Sequence, residues 1–224
     1  MQIAEYWFDA EDSVNAEKYV NKAAHIMHHV TKRETEVRYK NFQAKISDSK
    51  RKFDRAVWEF YGLSNMPEID PEGRNDLLRC AMTCAILQPA GDSKYRSMAV
   101  LHKDERSKSI DPHFTVLDKL FMGHIIKWAE VSDFERDHLE DHQKAVDANG
   151  QTVLERALLE HNILALSKIY LNISFEQIGK FLDIPADRAE AIISDMVTEN
   201  RIKAQLDQMT RSVDFVVQVS AKGV

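Results

Sequence analysis

The chain has 224 residues, 44% hydrophobic and 29% charged, enough to bury a real core in one or two domains. Its formal net charge of −6 draws it neither to nucleic acid nor to an anionic membrane. No apolar run approaches the roughly 20 residues that span a bilayer, and the start, "MQIAEYWFDAED", has no basic or apolar signal core, so an intracellular protein is expected.

Only seven Gly and five Pro occur, which favours long helices. The first, "DSVNAEKYVNKAAHIMHHV", is amphipathic, and Asp12 or Ser13 can cap its start. It carries His25, His28 and His29 at metal-ligand spacing, but no Cys or carboxylate is fixed nearby. A surface helix with histidines is the plainer reading. The next helix shows Tyr39, Phe42 and Ile46 at spacings of three and four, and a break is expected at Ser47–Ser49. The basic cluster "DSKRKFDR" (48–55) mixes Lys50, Arg51, Lys52 and Arg55 with Asp48 and Asp54. It suits the solvated start of a helix better than a nucleic-acid patch. In "FDRAVWEFY", Phe53, Ala56, Val57, Phe60 and Tyr61 form one apolar helical face.

Residues 64–73 hold Pro67, Pro71 and Gly73 and read as a loop, a weaker candidate for partner contact. Helices follow around 74–88, 93–103 and 113–129. Cys80 and Cys84 sit four apart in an apolar stretch and read as core thiols. "HLEDH" puts His138 and His142 at i, i+4, a spacing that can bind zinc. The zinc-protease pattern needs Glu after the first His, and here Leu139 stands there, so a solvated turn is expected. A turn at 146–150 leads into a helix over 151–170 that is apolar on more than one side. Its polar "EHN" (160–162) reads as buried groups that pin the helix to a nearby loop. Successive helices with short breaks predict stacked, degenerate hairpins.

The stretch 174–202, "SFEQIGKFLDIPADRAEAIISDMVTENRI", is a helix, a turn at Ile184-Pro185 and a second helix. The period then falls from 3.6 to 2. Ile202, Ala204 and Leu206 alternate, as do Val213, Phe215, Val217 and Val219, around a turn at 208–211. Two helices and a hairpin make a winged helix. A DNA-reading helix needs Lys and Arg against phosphates. Residues 186–200 carry four acids (Asp187, Glu190, Asp195, Glu199) against Arg188, a net −3, and the hairpin carries only +1. Nucleic acid is therefore the rival reading and protein docking the leading one. The hairpin edge can be extended by a partner strand. The expected docking residues are Arg201, Ile202, Lys203, Val213, Phe215 and Val217. No phosphate loop or nucleophile elbow is present, and no catalytic set, cofactor or metal is expected.

The stretches "HKDER" (102–106), "HQKAVDANGQTVLERALLEHN" (142–162), "SKIYLNISFEQIGKFLDIPADRAEAI" (167–192) and "NRIKAQLDQMTRSVDF" (200–215) resemble the PCI-domain family. That family serves the proteasome lid, the COP9 signalosome and translation initiation factor 3, and the likeness is strongest to the signalosome branch. It implies a mostly α fold of TPR-like hairpins over 1–150, then a linking helix and winged helix over 151–224. It implies a non-catalytic scaffold in the cytoplasm and nucleus that docks other PCI subunits of the COP9 signalosome and meets cullin–RING ligases. The assembly removes NEDD8 from cullins through a zinc protease on another chain. A paralogous proteasome-lid subunit is the nearest alternative. The resemblance also implies further helical hairpins before Gln2 and a long helix after the hairpin. The sequence holds neither, so an excised fragment or a reduced relative is expected.

Overall fold

The computed structural model describes residues 3, 6–7, 10, 12–27, 32–146 and 150–216. Among these, the fold is mostly helical with one small antiparallel sheet. Helices α1 (Ser13–Met27), α2 (Arg33–Ser49), α3 (Phe53–Ser64), α4 (Pro71–Leu87), α5 (Asp92–Lys103) and α6 (His113–Phe121) each pack on their neighbour in sequence. Two short helices follow, α7 (Ser132–His138) and α8 (Asp141–Lys144), then the linking helix α9 (Val153–Leu166). No helix of the described residues is long and apolar enough to cross a membrane.

The stripe on α3 does what its spacing demands. Phe53, Ala56, Val57 and Phe60 are buried and meet Leu78, Met82 and Ile86 of α4 in the largest core. Ala16 and Val20 of α1 pack on Tyr39 and Ile46 of α2 in a smaller one. Asp12 caps α1, accepting from the Asn15 N–H at 2.9 Å. Leu154 and Leu158 of α9 belong to the large core, whereas Leu159, Ile163 and Leu166 belong to a third core under the sheet. The two apolar sides of α9 thus serve two neighbours.

Four boundaries differ from the sequence reading. Helix α2 runs through Ser47–Ser49 and breaks at Lys50–Lys52, where Arg51 takes φ 56°. Of the residues that looked like a break, Ser47 and Asp48 are buried and Ser49 half-buried, with Ser47 Oγ donating to Glu59 at 2.6 Å. The loop after α3 ends early. Asp70 accepts from the Gly73 N–H at 2.9 Å, and Pro71 takes the first helical position, where its missing N–H costs nothing. The expected helix over 113–129 stops at Phe121, followed by Gly123 at φ 75°. Helix α9 covers 153–166 rather than 151–170, starting where Thr152 Oγ1 accepts from the Glu155 N–H at 3.2 Å.

The last part is β1 (Asn172–Ser174), α10 (Phe175–Leu182), α11 (Ala186–Thr198), β2 (Ala204–Asp207) and β3 (Ser212–Phe215). The hairpin is as expected, but β1 is an addition. The sheet order is β1-β3-β2, so Val213 stands between Ile173 and Leu206. Three residues are too few for alternation to register as a strand.

Candidate functional site: a winged helix locked to its linking helix

The helix-turn-helix is built by local chemistry. Ser174 Oγ accepts from the Gln177 N–H, and Gln177 Oε1 accepts from the Ser174 N–H, a reciprocal capping box. Asp183 closes α10 in the left-handed region at φ 56°. Gly179 is obligatory, because a Cβ there would stand 2.5 Å from the Ile184 carbonyl oxygen. Phe175, Ile178, Ala189, Ile193, Met196 and Val213 fill the space beneath the sheet.

The end of α11 aims the next residue. Asn200 takes φ 56°; its N–H donates to the Val197 carbonyl at 3.0 Å, and the Arg201 N–H donates to the Met196 carbonyl at 2.8 Å. This Schellman turn throws Arg201 back toward α9. There its guanidinium grips Glu160 with two bonds of 2.5 and 2.9 Å and donates to the Ala90 carbonyl at 3.2 Å. Glu160 is 1% exposed and also accepts from the Ala90 N–H and from Arg156. Burial pushes its carboxyl up, but Arg201, the Ala90 N–H and Arg156 together outweigh that and hold it below its ordinary value.

The other two members of the polar insert pin α9 to the chain after α6. Asn162 accepts from the Ile126 N–H at 3.0 Å and donates to the Ile126 carbonyl at 2.8 Å. His161 Nε2 donates to the His124 carbonyl at 3.0 Å, and burial pushes the ring down to about 4, so it is neutral. "EHN" therefore ties three separate segments to one helix, more than the single loop expected. Lys94 was missed. It is fully buried and donates to the Ile86 and Gln88 carbonyls at 2.7 and 2.9 Å, which fixes the segment carrying Ala90. Its signal was a lysine in the stripe Lys94, Met98, Leu101.

Residues 133–215 match the PCI domain. Along 96% of its length the chain is 39% identical to COP9 signalosome complex subunit 4 of Drosophila melanogaster and 40% identical to that of Dictyostelium discoideum. It is 35% identical to the Arabidopsis thaliana subunit over 96% of its length. Its residues 133–215 are thus similar to the PCI-domain family, and its length to the subunit 4 proteins. It spans about half the length of the curated relatives it matches: 52%, 54% and 55% of those three. The PCI match begins inside α7, so it takes in the linking helix and its polar insert along with the winged helix.

Within the PCI module the six expected docking residues part ways. Ile202, Val213 and Phe215 turn inward and are buried, and half-buried Arg201 is held against Glu160. Lys203 is exposed, and Val217 lies outside the described residues. Of the three hairpin bases, Arg211 is held by Asp187 at 2.6 Å and Glu176 at 3.0 Å. Lys203 alone lacks an ion pair among the described residues. In the earlier basic cluster, Lys50 pairs with Glu17 and Arg55 with Glu59. Phosphate would have to displace these partners.

His138 and His142 do not share a helix face. The chain breaks at Leu139 between α7 and α8; His138 is exposed, while His142 turns to Asp48. Asp48 is 8% exposed and accepts from Gln143 Nε2 at 3.0 and 3.1 Å, from His142 Nε2 at 3.1 Å and from Cys84 Sγ at 3.5 Å. The turn is thus anchored to the buried end of α2. Of the other histidine group, His25 is exposed, and His28 and His29 lie outside the described residues. Cys84 is buried and Cys80 half-buried, and both thiols are free.

Proposed function

We propose that this chain is a non-catalytic interaction subunit of the COP9 signalosome, docking other PCI subunits in the assembly that removes NEDD8 from cullin–RING ligases in cytoplasm and nucleus. Its likeness to the subunit 4 proteins supports the assembly. The observation that carries the docking mode is the outer edge of β2. No other strand among the described residues pairs with it, and the Arg201–Glu160 clasp holds the strand's root rigid. The Val216 N–H donates to the Lys203 carbonyl at 2.9 Å, so Lys203, Gln205 and Asp207 face β3. Alternation then turns the backbone of Ala204 and Leu206 outward, where a partner strand can pair with it. Ile202, Val213 and Phe215 shape this edge from beneath, and Lys203 selects for acidic neighbours.

Ala204→Pro removes one outward N–H while leaving the bonds to β3 in place. Co-purification from cells is expected to bring down other PCI subunits with the wild type. The variant should fold with an unchanged melting curve and lose them. Unaltered recovery with Ala204→Pro sinks the edge mode, and recovery of proteasome-lid proteins alone moves the chain to that paralogue.

A further inference from the structure

A cavity of about 620 Å³ opens between α2 and α4, with Phe60 of α3 in its wall. Asp48, Glu140 and His142 line it together, brought there by the end of α2 and the start of α8. One donor atom from each lies within 4.8 Å of the others. We propose that these three side chains form a zinc site open to the cavity.

The geometry supports a shared ion. His142 Nε2 stands 3.1 Å from Asp48 Oδ2. Two ligands about 2.0–2.1 Å from one tetrahedral zinc stand about 3.3 Å apart, so the ion fits by replacing the proton between them. Glu140 Oε2 is 3.4 Å from the other ring nitrogen; its side chain is 74% exposed and caps the start of α8, so reaching the same side means leaving that cap. Buried Asp48 and exposed Glu140 set two carboxylates at the cavity mouth, a pair that a divalent cation matches in charge. One imidazole and two carboxylates suit zinc, whereas calcium asks for six to eight oxygens. The fourth position faces the cavity, where a water or a partner's side chain can complete it.

Cys80 lines the same cavity and Cys84 touches Asp48. Gln143 holds Asp48 from the far side through its amide, orienting the carboxylate as the support of a metal ligand does.

The test is titration of the whole, chelator-stripped chain with zinc chloride against a chromophoric competitor. One tight equivalent is expected. His142→Gln should weaken it by about 10–100-fold or more, and Glu140→Gln, at a surface position that cannot unfold the chain, by a smaller factor. His138→Gln and the triple change of His25, His28 and His29 to Gln should leave it intact. Cobalt(II) in place of zinc should show visible bands that vanish in His142→Gln. Loss of the tight equivalent in the triple variant, its survival in both His142→Gln and Glu140→Gln, or no binding at ~100 μM zinc each overturns the site.

Discussion

Two buried carboxylates organise this molecule, and they are held by opposite means. Glu160, between the linking helix and the wing, is clasped by permanent cations, Arg201 and Arg156. Asp48, at the end of α2, is held by an amide, a thiol and one imidazole. A carboxylate compensated by arginine stays charged and fixed at any ordinary pH. One compensated by neutral donors and a histidine keeps a place for another cation. The first arrangement builds a rigid joint and the second a bindable one.

The largest expected effect comes from breaking the rigid joint. Arg201→Ala leaves Glu160 buried with one cation, Arg156, and is expected to lower stability by about 3–5 kcal/mol in urea unfolding. Replacing Arg201 and Glu160 together by Met should cost much less than the single change, since no uncompensated charge remains. A single-variant loss under about 1 kcal/mol would mean that the clasp is solvated and the contrast with Asp48 false.

The fold was legible where one physical rule dominated. The α3 stripe, the hairpin and the polar "EHN" insert each follow a period or a buried-polar rule that sequence alone expresses. Boundaries slipped where two rules compete. Pro71 breaks a helix from inside but starts one at its first position, and only the Asp70 cap decides which. The site was harder to read. Alternation picked out Val213 and Phe215, yet alternation marks the buried face of a strand, and the exposed edge belongs to its neighbour β2. Asp48 did continue the stripe Val37, Asn41, Ala44 at i, i+4, i+7 and i+11. A carboxylate in that stripe was the available signal, but its partners Cys84, His142 and Gln143 lie 36, 94 and 95 residues away, beyond any local pattern.

Acid tests both regions at once, with a smaller effect per group. His161 lies on the linking helix, with Lys94 and Lys168 near, and His113 lies in the helical part, with His138 and Arg79 near. Burial first, and then those neighbours, push each ring down to about 4; the His124 carbonyl opposes this for His161 without prevailing. Unfolded histidine titrates near ~6.5. Above that value neither state binds the proton, and stability is full. As pH falls from ~6.5 toward ~4 the unfolded chain takes up protons that the folded rings refuse. Stability should drop by on the order of 3 kcal/mol per ring and level off below, as far as these groups are concerned. Urea midpoints across that range measure it, and His161→Gln should remove about half of the slope. An unchanged slope would assign the acid response elsewhere.

The smallest expected effect probes the conditional carboxylate. Gln143→Ala removes two hydrogen bonds from Asp48 but leaves His142 and Cys84 in contact with it. The expected loss is about 1–2 kcal/mol, below that of Arg201→Ala, because the missing partner is a neutral amide. Gln143→Glu is the sharper variant. It sets a carboxylate where the amide donated at 3.0 Å, so two like charges meet in a half-buried place. It should cost more than the alanine in metal-free buffer and regain part of that loss when zinc is added. If Glu and Ala behave alike with and without zinc, Asp48 is an ordinary buried acid, and the difference between the two carboxylates is one of position alone.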